Sequence, residues 1–120
     1  MTTRNHSNID GKTISPQELQ KLFGSQAAPV VVDVRSGWEY KIGHIPGAVH
    51  LPFWSALFRH ENIGASPQTP LVLTCAHGPR AMLARYLLSR VGFQNMRLLN
   101  GHMVAWKRSN MPLTKKHAAS

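Results

Sequence analysis

The 120 residues are enough for one domain with a real core and too few for two of ordinary size. With 42% apolar and 16% charged residues the composition excludes a disordered chain, and the single cysteine, Cys75, excludes an internal disulfide. Lys and Arg number 14 against five Asp and Glu, a net charge of +9 concentrated in residues 59–120, where Glu61 is the one acid. Such a field attracts anions, whether small substrates, acidic proteins or nucleic acid, without choosing among them.

In chain order the first signal is Ser15-Pro16-Gln17-Glu18, a capping box with proline at the first helical position, which predicts a helix ending at Gly24. Val30 to Val34 is a β-branched run that predicts a strand buried on both faces. Gly43 and Pro46-Gly47 punctuate a turn, Ala48 to Leu51 reads as a short strand, and Phe53 to His60 as a helix. Leu71 to Thr74 is a second buried strand. Ala81, Ala84, Leu87, Leu88 and Val91 recur at helical spacing, Gly92 stops that helix, and Met96 to Leu99 is a further strand. Strands alternating with helices imply right-handed crossovers and a parallel sheet, an α/β fold. No apolar run reaches bilayer length and the polar start carries no signal-peptide core, so the expectation is a cytoplasmic protein. The seven histidines show no tight ligand pair, so no metal or other cofactor is expected.

Ligands of open parallel sheets bind at the carboxyl ends of strands, and there the second buried strand runs into Cys75-Ala76-His77-Gly78-Pro79-Arg80 and a helix. A loop whose backbone amides converge on a sulfur, a helix N-terminus and the Arg80 charge all favour thiolate over thiol. The catalytic candidate is therefore Cys75, in an anion cradle.

These residues resemble the Cys-x-x-Gly-x-Arg loop of the rhodanese family of sulfurtransferases. Asp33-Val34-Arg35, Glu39, Gly43-His44-Ile45, Gly47-Ala48 and Leu51-Pro52 are similar to the family's first signature, and Gly101 with Trp106 to its closing one. The resemblance covers residues 13–113, leaving 1–12 as a flexible segment and 114–120 as a basic tail. It implies a small parallel sheet of about five strands flanked by helices on both faces. It also implies transfer of sulfane sulfur from an anionic donor such as thiosulfate through a Cys75 persulfide. Arg80, Ala76, His77, Gly78 and Ala81 would bind substrate, and Asp33, Arg35, Glu39 and His44 would support the site through ion pairs and turn-fixing hydrogen bonds. With no second thiol in the chain, the acceptor must come from outside: cyanide, a small thiol or a protein cysteine. Trp38, Trp54 and Trp106 read as core or covering residues, with Phe53 and Trp54 placed to wall the pocket. Three positions depart from the family pattern: Pro79 has no amide proton to donate, Ala81 replaces a frequent Ser or Thr, and His102 stands at a frequent second glycine.

The alternatives are a rhodanese-like binding or sulfur-relay module without thiosulfate turnover, and a cysteine-loop phosphatase or arsenate reductase. The latter needs five residues between Cys and Arg to enclose a tetrahedral oxyanion, whereas only four, Ala76 to Pro79, intervene here. Specific nucleic-acid binding is not expected either, since Arg80, Arg85 and Arg90 point in different directions around their helix and no aromatic residues interleave with them. No membrane association is expected.

Overall fold

In the computed structural model, which describes residues 12–116, the β-branched and leucine runs become the middle of one parallel sheet. Strands β1 (Thr13–Ile14), β2 (Val30–Asp33), β3 (Val49–His50), β4 (Leu71–Thr74) and β5 (Met96–Leu99) are ordered β1-β5-β4-β2-β3. All pairings are parallel, with Val31 opposite Val72, Asp33 opposite Thr74 and Leu73 opposite Leu98. The central strand β4 is buried along its whole length, as an apolar strand covered on both faces must be.

Alternation along the strands divides the core in two. Ile14, Val31, Val72 and Leu99 face helices α1 (Pro16–Leu22) and α5 (His102–Arg108) through Leu19, Met103 and Trp106. Val32, Leu71, Leu73 and Leu98 face α3 (Ala56–Arg59) and α4 (Pro79–Arg90) through Ala56, Ala81, Ala84 and Leu88. The alanines on α4 let that helix lie close to the sheet, and its N-terminus consequently meets the end of β4. The remaining helix, α2 (Gly37–Ile42), follows β2 and inserts Tyr40 into the first layer.

Both capping boxes are formed, Ser15 with Glu18 and Ser36 with Glu39; each is worth about 1 kcal/mol to a short helix. Three expected elements change shape. The helix expected to end at Gly24 ends at Leu22. The strand expected over 48–51 pairs only through Val49 and His50, and the helix expected over 53–60 breaks into a 3₁₀ turn at Phe53–Ser55, α3, and a second 3₁₀ turn at His60–Ile63. No side chain caps any of those three turns. Ordered pairing extends past Leu113: Thr114 exchanges backbone hydrogen bonds of 2.8 and 2.9 Å with His44, and the His44 ring reaches the Lys116 carbonyl at 2.9 Å. The segment expected to be flexible lies outside the described residues except for Lys12, and so does the tail from residue 117 on. Among the described residues no helix is long and apolar enough to cross a membrane.

Candidate active site

Cys75 immediately follows β4, and the chain then bends through Ala76, His77 and Gly78 into α4. Gly78 adopts φ 137°, a conformation that L side chains rarely enter, and this aims its N–H back at the Cys75 sulfur. The Gly78 amide donates to Sγ at 3.0 Å and the Ala81 amide at 3.4 Å. Two backbone donors on one sulfur form an arrangement that stabilises negative charge there. Pro79 sits between them as the first residue of α4 and contributes no N–H. Ala76 and His77 complete the rim, with His77 exposed. Cys75 itself has no accessible surface.

From the opposite side, α5 closes on the same strand end. The Met103 amide donates to the Cys75 carbonyl at 3.0 Å and the Val104 amide to the Ala76 carbonyl at 3.4 Å. The Cys75 amide in turn donates to Nδ1 of His102 at 3.3 Å. Burial first, and then the charge of His77, holds the His102 imidazole below its usual protonation range.

Arg80 does not stand free at the rim. Its Nη1 and Nη2 donate to Oε1 and Oε2 of Glu39 at 2.7 and 3.0 Å, a bidentate pair. Glu39 is held for it by the α2 capping box, in which Oε1 also accepts from the Ser36 amide and hydroxyl at 3.0 Å each. The Arg80 hydrogen bonds, against the opposing effect of burial, hold the Glu39 carboxyl down at about 2. The hydrogen bonds to Glu39, against the opposing effect of burial, hold the Arg80 guanidinium protonated.

Beneath this pair lies a second, fully buried one. Arg35 donates through Nε and Nη2 to the Asp33 carboxylate at 2.7–3.1 Å, and Nη2 also reaches the Gly43 carbonyl at 2.8 Å. The two residues pin the β2–α2 turn beside β4, because Asp33 is in register with Thr74. His44 lies further away, stacked on Tyr40 with ring centroids 3.6 Å apart and tied to the C-terminal segment. The aromatic expectations divide. Trp106 is buried, with Nε1 donating to the Pro112 carbonyl at 2.7 Å, and Phe53 packs half-buried on the cluster that contains Cys75. Trp38 is 75% exposed and covers no core. Trp54 lines a cleft of about 660 Å³ together with His50, Pro52, Phe58, Arg59 and Asn62, whose walls include no residue of the Cys75 loop. Sequence reasoning put Glu39 near the site without its partner and treated His102 only as an altered glycine; Ser36-x-x-Glu39 was the available signal for the first.

The family model for the rhodanese-like domain matches residues 15–109. The chain belongs to the rhodanese family. Among curated rhodaneses it is similar to the thiosulfate sulfurtransferase GlpE of Ectopseudomonas mendocina, with 35% identity over 98 residues, 80% of this chain and 84% of that protein. It is 34% identical over 103 residues to the probable adenylyltransferase/sulfurtransferase MoeZ of Mycobacterium tuberculosis, 85% of this chain but only 26% of that protein. The rhodanese-related protein of Thermoplasma volcanium shares the fold, with a TM-score of 0.75 at 22% identity over 88% of this chain and 99% of that one. The parallel five-stranded sheet with helices on both faces is thus the rhodanese architecture.

Proposed function

We propose that this rhodanese is a thiosulfate-type sulfurtransferase that carries sulfane sulfur as a persulfide on Cys75. The observation that carries the reading is the pair of amides, Gly78 and Ala81, aimed at Sγ. In the first step the Cys75 thiolate attacks the outer sulfur of thiosulfate. A Cys–S bond forms, the bond between the two donor sulfurs breaks, and its electron pair leaves with sulfite. In the second step a thiophilic acceptor such as cyanide takes the outer sulfur and the thiolate is restored. The loop amides hold the anionic sulfur in both steps. The guanidinium N–H groups of Arg80 that Glu39 does not use would meet the sulfonate end of the donor. Similarity to GlpE over most of both chains supports thiosulfate as donor.

The burial of Cys75 favours a second reading, a rhodanese-like binding module without thiosulfate turnover. A buried cysteine that serves only packing is inert. Against that, a packing cysteine does not require two amide donors, and its neighbours in the loop, His77 and Pro79, are exposed. Intact mass decides. Thiosulfate should add the mass of one sulfur atom to the protein, cyanide should remove it as thiocyanate, and Cys75→Ser should do neither. Failure to gain sulfur from any sulfane donor selects the binding module, and gain from a protein persulfide or a low-molecular-weight persulfide but not from thiosulfate selects a sulfur-relay module.

A further inference from the structure

His102 sits in a place made for glycine. Its φ is 54°, in the left-handed region, directly after Gly101 at φ 75°. The Gly101 position can take no side chain at all, because a Cβ there would overlap Ala105. Two consecutive left-handed residues suit a glycine pair, and an imidazole on the second carries a conformational cost. The side chain that carries it is 94% covered, since His102 is only 6% exposed, and it is wedged between two parts of the reactive loop. Nδ1 accepts from the backbone amide of Cys75 at 3.3 Å. The other edge of the ring lies against Gly78, where a Cβ would meet Nε2 at 3.3 Å and Cδ2 at 3.4 Å. One imidazole thus accepts from the residue that bears the nucleophile and borders the place a side chain would take on Gly78, the residue whose amide donates to the sulfur at the shorter distance.

We propose that His102 is a positioning residue of the sulfur-transfer site, acting through Nδ1 on the Cys75 amide and through its ring edge on Gly78 to hold the loop amides on Sγ. The inference rests on the sulfurtransferase reading of Cys75 and adds a residue of α5 to the site. Its chemistry fixes the tautomer. A backbone amide only donates, so Nδ1 must carry a lone pair and the proton of the neutral ring sits on Nε2. The imidazolium has two donors and no acceptor, and would release the Cys75 amide into a buried space without a partner. The charge that acts on the ring is that of His77 on the β4–α4 loop, where the Cys75 amide also meets it; Arg80 on α4 is engaged by Glu39, and the first turn of α5 holds no acidic residue. Burial and the nearby His77 keep the ring neutral, the state the contact requires.

Substitution separates the two nitrogens. Asparagine tolerates the left-handed conformation and its side-chain oxygen occupies the place of Nδ1; glycine fits the backbone and offers no acceptor; glutamine reaches the place of Nε2 instead. Three measurements on each full-length variant provide the test: the rate of Cys75 alkylation by iodoacetamide at pH 7, kcat and KM for thiosulfate with cyanide, and the urea midpoint. His102→Gly and His102→Gln should lower kcat at least tenfold with KM little changed, and should alter the alkylation rate at least threefold. His102→Asn should recover both to within about threefold of wild type. Ring ¹⁵N shifts of wild type should show Nδ1 unprotonated and Nε2 protonated. A folded His102→Gly protein with wild-type alkylation and turnover overturns the proposal, as do Asn and Gly variants that fall equally or a ring protonated on Nδ1. If wild type transfers no sulfur from any donor yet alkylation follows the same order across the variants, the sulfurtransferase reading fails and the positioning role stands.

Discussion

The bidentate contact between Glu39 and Arg80 joins α2 to α4 across the mouth of the loop, and a double-mutant cycle measures what that junction contributes. Glu39→Gln is the clean perturbation on one side. It keeps Oε1, the acceptor for the Ser36 amide and hydroxyl and for Arg80 Nη1, and so keeps the capping box. It replaces Oε2 by an amide that cannot accept from Nη2. Arg80→Ala removes the other side. The two side chains are about one-third exposed, 32% for Arg80 and 30% for Glu39. An exposed ion pair is worth about 0–1 kcal/mol and a bidentate charge-assisted one roughly twice that, so the coupling should be about 1 kcal/mol. Solvent screening of a partly exposed pair keeps the coupling at this size although the Glu39 carboxyl is held at about 2.

The assay is urea unfolding of wild type, both single variants and the double variant, repeated from pH 7 down to pH 3. At pH 7 Glu39→Gln should cost ~1 kcal/mol in the Arg80 background and near zero once residue 80 is alanine. The sign of the pH effect follows from the carboxyl held at about 2 against its ordinary 4.5. The folded state binds its proton later than the unfolded state. The contribution is therefore fully present above pH 4.5 and declines as pH falls toward 2, in wild type and not in the Glu39→Gln variant. A coupling below about 0.3 kcal/mol, or a coupling unchanged between pH 7 and pH 3, would refute the idea that this pair stabilises the loop mouth.

Gly78→Ala should cost about 2 kcal/mol or more and reduce sulfur transfer at least tenfold, since it meets both a φ of 137° and the His102 ring; unfolding and turnover measured together check it. Because the His102 imidazole is held below its usual range, the unfolded chain takes that proton first. Stability should fall as pH drops below about 6.5, by no more than ~1.4 kcal/mol per pH unit, and this component should be missing from His102→Asn. If the +9 charge steers small anions, kcat/KM for thiosulfate should fall across a salt series while kcat holds, and nucleic acid should bind weakly and without sequence preference near 0.15 M salt. Tight, sequence-selective binding with salt-insensitive turnover would reassign that charge to a nucleic-acid role.

What the sequence made legible follows the kind of signal each element emits. Strands β4 and β5 are legible to the residue, because Leu71 to Thr74 and Met96 to Leu99 are largely apolar stretches with turn residues at their edges. The edge strand β1, only Thr13–Ile14, is too short to show a period, and it exists because Leu98 and Leu99 of β5 offer it a partner. Helix α2 carried the same capping signature as α1, but its six residues form too short a run for apolar periodicity. The segment after Phe53 has the composition of a helix and lacks a cap, and the packing of Phe53 and Ala56 onto the core sets its broken path instead.

At the site, local pattern points to the candidate nucleophile and its loop, since Cys75, Gly78 and Arg80 are neighbours in the chain. The contacts that organise the loop span 41 residues from Glu39 to Arg80 and 27 from Cys75 to His102, and no local signal encodes them. The three departures from the family pattern nonetheless bear on one another in space. Pro79 removes a loop amide, Ala81 leaves only its backbone N–H to meet the sulfur, and His102 fills the side of the loop that a second glycine would leave open. A loop with fewer donors depends more on the two it keeps, and a rigid ring against Gly78 and the Cys75 amide is the means by which their direction is fixed.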